Sequence, residues 1–290
     1  MLFFRRKLKT IDRSVLDEKI SEFLRGGTCC VDENSDVVVS LTTFPQRISE
    51  IKYTLYSLLN QSVKPFRVVL YLAEDEFENV PEDVSEFLKC GLIVKFCKNI
   101  YSYKKLIPAL LEFPEKLHVT ADDDLFYDKD WLKDLVLTHE AYPDCVVAHR
   151  THKIKLSAKL KNDILPFGEN YPFAPYKKWK KQTNSCEPSY LNFLTSGAGV
   201  LFPNGCFCED VLREDLFMRL APKADDVWLW MMSVKGGCKI VSPKKSKRLT
   251  YVNPARERGL TGEVTLFSQN KNGGNDAQLR AVWEYYGKLR

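Results

Sequence analysis

The run from Asp36 to Pro45, D-V-V-V-S-L-T-T-F-P, is almost continuous in β-branched and apolar residues. A strand with one face in water would alternate apolar and polar side chains, and this run does not. It fits a strand buried on both faces, as in the middle of a parallel sheet. The signal then repeats. Ile48 to Leu59 has helical periodicity and no breaker, and Phe66 to Leu72 (F-R-V-V-L-Y-L) reads as a second strand. Pro81 opens a helix through Leu88, Gly91 ends it, and L-I-V-K-F supplies a third strand. Lys104 to Leu111 is helical, and the segment from Lys116 towards Asp122 is the fourth strand. Such alternation predicts βαβ units and an α/β fold with a mixed, mainly parallel sheet flanked by helices. Right-handed crossovers place Thr42-Thr43, Glu74-Asp75 and Asp122 to Asp124 along one sheet edge.

The remainder divides by character. Residues 1–35 read as an N-terminal extension with one helix, Ile11 to Leu24, stopped by Gly26-Gly27. Residues 36–150 form the first half of the expected single domain, closing with a helix from Trp131 to Glu140 and a short strand from Cys145 to His149. Residues 151–192 are rich in lysine, proline and aromatics, without clean periodicity, and read as a basic loop or lid. Residues 193–290 form the second half. F-L-T-S-G-A-G-V-L-F-P from Phe193 reads as one strand, followed by a helix from Ala224 to Ser233, a late K-I-V-S strand and a closing helix from Ala277 to Tyr286.

A net charge of +5 is too small to argue for nucleic acid but suits an anionic ligand. Nine cysteines, scattered and odd in number, fit a reducing cytoplasm, and no apolar run is long enough to span a bilayer. The start, M-L-F-F-R-R-K-L-K, lacks the features of a secretory signal. Two readings stand for it: a ragged terminus, or a peripheral contact with the inner membrane surface.

The chemistry concentrates in two acidic clusters, Asp122 to Asp124 and Asp225-Asp226. Three adjacent carboxylates repel one another, which raises their pKa values unless a cation relieves them. Hard divalent cations prefer carboxylate oxygen, so Mn²⁺ or Mg²⁺ at Asp122, Asp123 and Asp124 is one reading and a solvated acidic turn is the other. For Asp225-Asp226, a helix cap competes with a catalytic base held ionised by the helix dipole. Arg47, Lys104 and Lys105 are cations within reach of a phosphate, or solvated helix residues. His149-x-x-His152 could bind a metal but lacks a matching third ligand and reads as structural, and the aromatics Trp228 and Trp230 read as core, with sugar stacking as the other reading of Trp228.

Several of these segments together resemble the nucleotide-sugar glycosyltransferases of the GT-A (Rossmann-like) fold, particularly family 2. They are S-L-T-T-F-P, L-Y-S-L-L-N-Q-S, Y-K-K-L-I-P-A-L, T-A-D-D-D-L-F-Y, T-S-G-A-G-V-L-F-P and A-D-D-V-W-L, in order over Asp36 to Gly237. The tail's N-G-G-N-D-A-Q-L is similar to bacterial surface-polysaccharide members. The resemblance implies that residues 36–150 bind the nucleotide sugar and residues 193–290 the acceptor. It makes Asp122 to Asp124 a D-x-D motif holding Mn²⁺ or Mg²⁺ against a diphosphate, with the register among the three open. It makes Asp226 the catalytic base, with Asp225 beside it, in an inverting transfer. Thr42, Thr43 and Pro45 would border base and ribose, Glu74 or Asp75 the nucleobase, and Arg47, Lys104 and Lys105 the phosphates. Gly197 and Gly199 would let the backbone approach the donor sugar or the acceptor, with a strand bulge as the other reading, and Asn275 and Asp276 would be a further metal-side contribution. The implied partners are a nucleotide-sugar donor, with UDP favoured, and a glycan or glycolipid acceptor of lipopolysaccharide, lipooligosaccharide or capsule type. The lysines from Lys153 to Lys181 and from Lys244 to Arg248 read as a solvated face, or as a contact with an anionic acceptor such as phosphorylated lipopolysaccharide core or with the inner leaflet. The rival activities are a nucleotidyltransferase acting on sugar phosphates and a non-catalytic sugar-nucleotide-binding relative.

Overall fold

The computed structural model describes residues 9–157, 165, 167, 171–183, 185–245, 249–257 and 274–287. The chain enters through β1 (Lys9–Thr10) and a helix, Arg13–Gly26, whose end is set by Gly27 in the left-handed conformation. β2 (Val37–Thr42) follows, then a 3₁₀ turn, Pro45–Glu50, and a buried helix, Ile51–Leu59. Next come β3 (Arg67–Ala73), the short helical pieces Glu82–Ser85 and Glu86–Cys90, and β4 (Leu92–Cys97). A 3₁₀ turn, Tyr101–Lys105, and a helix, Ile107–Glu112, lead to β5 (Leu117–Thr120) and β6 (Leu125–Phe126). The helix Trp131–Ala141 precedes β7 (Cys145–Ala148), β8 (Thr151–Lys153), β9 (Lys180–Thr183), β10 (Asn192–Leu194) and β11 (Val200–Phe202). The helices Glu214–Leu220 and Asp225–Lys235, β12 (Lys239–Val241), β13 (Thr250–Tyr251) and the helix Asn275–Tyr286 complete the order.

Seven strands form the main sheet in the order β12-β7-β11-β5-β2-β3-β4. All neighbours are parallel except β11, which runs antiparallel to both β5 and β7. This is the mixed, mainly parallel α/β sheet expected from the alternation. The β2 run is buried on both faces for the reason its composition gives: Val39 and Leu41 pack with Leu70, Leu72, Val119 and the helix from Ile51, while Val38 packs with Val69, Tyr71 and Ala109 on the other side. Each such side chain taken from water contributes about 1.5–3 kcal/mol.

Two departures from the sequence reading bear on the site. Phe193 to Pro203 is two strands: β10 belongs to a small sheet ordered β10-β8-β9, β11 to the main sheet, and a 3₁₀ turn, Ser196–Ala198, separates them. The turn is forced by close quarters. A Cβ on Gly199, at φ +107°, would run into the Trp131 indole, whose Nε1 donates to Ala198 O at 3.0 Å. The basic segment is likewise more ordered than a loop, because β8 and β9 pair within it, Thr151 opposite Thr183. Its residues 158–164, 166, 168–170 and 184, the basic start at 1–8, Ser246 to Arg248 of the second lysine-rich stretch and residues 272 and 273 of the tail motif lie outside the described residues. Among the described residues no helix is long and apolar enough to cross a membrane.

Candidate functional site

β5 ends against β2, where the Ala121 amide donates to Ser40 O at 3.0 Å, and the chain then bends away through Asp122 to Asp124. Thr54 of the underlying helix fixes the bend, with its one hydroxyl hydrogen shared between the carbonyls of Asp123 (2.9 Å) and Leu125 (2.8 Å). The three carboxylates part company. Asp123 accepts from Thr43 Oγ1 at 2.6 Å and from Arg47, and Asp124 accepts from the same Arg47 Nη1 at 2.9 Å. Asp122 turns the other way, to Lys105 Nζ at 2.7 Å.

The second cluster opens the helix Asp225–Lys235, whose N-cap residue is Ala224, so Asp225 is inside the helix and is not its cap. Ser196 in the 3₁₀ turn holds both acids: its amide donates to Asp226 Oδ1 at 2.7 Å and its hydroxyl to Asp225 Oδ2 at 3.0 Å. Lys105, only 4% exposed, joins the clusters, its Nζ also standing 3.0 Å from Asp225 Oδ2. Tyr127 tightens the junction by accepting from the Asp122 amide and donating to Gly197 O, both at 2.7 Å. A Cβ on Gly197 would strike the Asp122 carboxylate. The glycine therefore makes room for an aspartate of the protein itself, in the space that the sequence reading left to a sugar or acceptor.

The electrostatics follow from these contacts. Burial pushes the Asp226 carboxyl up and the Asp225 charge adds to it, against the pull of Lys105 and the Ser196 bonds, leaving it at about 6. The helix dipole expected to hold Asp226 ionised is outweighed. Burial also opposes the charge of Asp122, but Lys105, with Arg47 and Arg150, overcomes it and holds that carboxyl below its usual range. Lys105 and Arg47, in spite of burial, are held protonated by the acids around them.

Other sequence candidates fall nearby or elsewhere. The Thr42 hydroxyl donates to Tyr71 O at 2.8 Å, within the sheet, while the buried Thr43 faces Asp123. Pro45 begins the 3₁₀ turn that carries Arg47. Lys104 is buried with Asn99 Oδ1 at 3.0 Å and Glu76 Oε2 at 3.5 Å, apart from the aspartates. Glu74 is exposed at the end of β3, and Asp75 and Glu76 both accept from Asn99 at 3.3 Å. His149 bonds Trp131 O, and His152 accepts from the Gln182 amide; both are structural. Trp228 and Trp230 are fully buried core residues, so neither stacks on a sugar. Asp276 accepts from the Tyr176 amide at 2.7 Å, which ties the closing helix to the basic segment. Ser196, Thr54 and Tyr127 were not singled out in the sequence; small hydroxyl residues and a tyrosine carry no signal until the turn brings them to the acids.

As a metal site the donor set is partial. The Asp122 and Asp124 side chains are 38% and 26% exposed, and Asp123 only 6%. Among the described residues no three His, Cys, Asp or Glu side chains are gathered as ligands. The carboxylates fit a divalent cation that takes one or two of them and draws its other oxygens from a diphosphate and water, not one caged by protein alone. Nor do the three acids need a metal ion to offset their charges, since Arg47 faces Asp123 and Asp124 and Lys105 faces Asp122.

No protein-family description matches the chain, and no curated protein matches it in sequence. Solved structures do. A CMP:2-keto-3-deoxy-manno-octonic acid synthetase complexed with CTP is similar over 81% of this chain and 99% of its own, with 11% identity and a TM-score of 0.42. Residues 1–349 of TarS from S. aureus are similar over 86% of this chain and 71% of their own, with 16% identity and a TM-score of 0.46. The same protein in complex with UDP matches over 75% and 60%, with 15% identity and a TM-score of 0.46. At such identities and scores these likenesses assign no activity to the chain.

Proposed function

We propose that the protein transfers a sugar from a nucleotide diphosphate donor, with UDP favoured, to a hydroxyl of a surface glycan or glycolipid. The observation that carries this reading is the Lys105 bridge. It sets a cluster suited to a diphosphate-bound cation beside a carboxylate whose pKa of about 6 suits a general base near neutrality. The order of motifs resembling the GT-A glycosyltransferases supports it.

In this reading Thr43, Arg47 and the Asp122–Asp124 bend hold the nucleotide end. Mn²⁺ or Mg²⁺, held by Asp122 and Asp124, would neutralise charge developing on the departing diphosphate. Asp226 accepts the proton of the acceptor hydroxyl as that oxygen attacks the anomeric carbon and the bond to the diphosphate oxygen breaks. One base and one displacement invert the configuration at that carbon. Ser196 keeps the Asp226 carboxylate aimed through its amide.

Incubation with a panel of UDP-sugars, Mn²⁺ and glycan acceptors tests the reading, with release of UDP as the readout. A companion incubation with sugar phosphates and nucleoside triphosphates reads pyrophosphate. UDP release that Asp226→Asn abolishes supports glycosyl transfer; pyrophosphate alone would establish a nucleotidyltransferase instead, and neither product with any donor would sink both.

A further inference from the structure

The three residues Thr195, Ser196 and Gly197 put a second, basic group next to the proposed base. Ser196 holds Asp226, while Thr195 holds Arg150: Arg150 Nε donates to Thr195 Oγ1 at 2.7 Å, and the Thr195 hydroxyl and amide donate to Arg150 O at 3.1 and 3.2 Å. Among the described residues only the Nε edge of the guanidinium is engaged in this way, and no carboxylate pairs with Arg150. β8 pairs antiparallel with β9, Thr151 opposite Thr183 and Lys153 opposite Lys180, which brings Lys181 up beside His152, two residues along the chain from Arg150. The Lys181 ammonium lies 2.9 Å from the centroid of the Tyr176 ring, and it too has no carboxylate partner among the described residues.

The neighbours report the surplus of positive charge. His152, buried between β8 and β9, is held neutral first by burial and then by Arg150 and Lys181. Lys181 as a residue is exposed, but its ammonium end is desolvated against the rings; with Arg150 this lowers it to about 8 even though Asp276 pulls the other way. Asp276 is itself occupied by the Tyr176 amide. Two cations held near one another, each short of an acid, form a receptor for an oxyanion, and a guanidinium fixed at one edge presents its other edge in a plane.

We propose that Arg150 and Lys181 form an oxyanion-binding pair that receives a phosphate or carboxylate group of the acceptor beside Asp226. This rests on the glycosyltransferase reading for the word acceptor, but not for the anion site. The alternative source of the same chemistry is the donor's diphosphate, since the charge of Arg150 also reaches Asp122. Arg47 and the carboxylate bend already serve that end, and Lys105 stands between the two halves.

Thermal unfolding with inorganic phosphate, in the absence and presence of saturating UDP, tests the pair, because a ligand that binds the folded state raises its midpoint. Phosphate is expected to raise the midpoint of the parent protein, with and without UDP, and Lys181→Gln and Arg150→Gln are each expected to lose most of that shift. Lys181→Gln guards against misfolding as the cause, because among the described residues that side chain contacts the Tyr176 and Trp179 rings and makes no hydrogen bond or ion pair. No phosphate shift in the parent, or a full shift in both variants, overturns the pair. Loss of the shift once UDP is bound overturns the acceptor assignment and gives the pair to the donor. Failure of UDP to bind at all counts against the glycosyltransferase reading while leaving the phosphate measurement intact.

Discussion

Lys105 Nζ stands 3.0 Å from Asp225 Oδ2 while bonding Asp122 Oδ1 at 2.7 Å, so one buried ammonium neutralises acids from two distant parts of the chain. Removing one partner of a buried ion pair is worse than never having it, since the remaining charges stay desolvated. Lys105→Met is expected to cost about 3–5 kcal/mol at neutral pH by denaturant unfolding. The sign of its pH dependence is fixed. Lys105 is the main influence holding the Asp122 carboxyl below its usual range, and without it burial drives that carboxyl upward. The deficit is therefore full at neutral pH and shrinks as acidification protonates the acids the lysine had faced. A deficit that stays constant from pH 7 to pH 4.5 would show that the bridge is not electrostatic.

Asp226 offers the opposite case. Its folded pKa, raised to about 6 from an ordinary 3.8, means the native state binds a proton more tightly than the unfolded chain. Stability from this group is present below the unfolded value and is lost as pH rises through about 4 to 6. Asp226→Asn should therefore be about 1–3 kcal/mol more stable than the parent at pH 7.5, and lose that advantage near pH 4. The same substitution should lower transfer by about 10²–10⁴-fold, the usual contribution of a general base. A variant that is inactive and also less stable at pH 7.5 would assign Asp226 a structural role.

The sheet was legible because its strands announce themselves: Val37 to Leu41, with Ser40 its one polar residue, and Val68 to Leu72 are buried on both faces, and alternation with helical segments makes such runs interior parallel strands. The two acidic clusters were legible because successive carboxylates need a reason. What joins them was not. Lys105 looks, in sequence, like any lysine of Tyr101–Lys105, and its burial depends on a crossover that places it under Asp122. The break between β10 and β11 was hidden for a related reason, since glycine within a strand-like run reads equally as bulge, bend or close approach. The direction of the Asp226 shift was misjudged because a helix-start dipole is a local signal, whereas burial and the facing Asp225 arise only on folding.

Two glycines separate close packing from backbone strain. At Gly197 a Cβ meets the Asp122 carboxylate, while at Gly205, with φ +72°, it meets nothing within 4 Å. Gly205→Ala should cost about 1 kcal/mol, the conformational penalty alone. Gly197→Ala is expected to cost more, about 1–3 kcal/mol for forced displacement of packed atoms, and to weaken UDP binding by moving Asp122 from Lys105. Equal costs at the two positions, with UDP affinity unchanged at both, would mean that Asp122 yields freely.

The last prediction concerns Asp225, which touches Lys105 and Ser196 and not the proposed reaction centre. After burial, its charge is the largest influence raising Asp226. In Asp225→Asn that repulsion disappears, and Lys105, relieved of one acid, interacts more strongly with Asp226; both effects lower the Asp226 pKa. If Asp226 is the base, the rate of transfer in the parent should climb with pH through about 6 and level off above it. In Asp225→Asn the same rise should move to lower pH, with the plateau reduced because a base with a lower pKa removes the acceptor proton less readily. The comparison of the two pH profiles decides between a positioning role and mere support of the fold. A structural defect would lower the plateau without moving the rise, and a rise displaced to higher pH would contradict the electrostatic assignment of Asp225 outright.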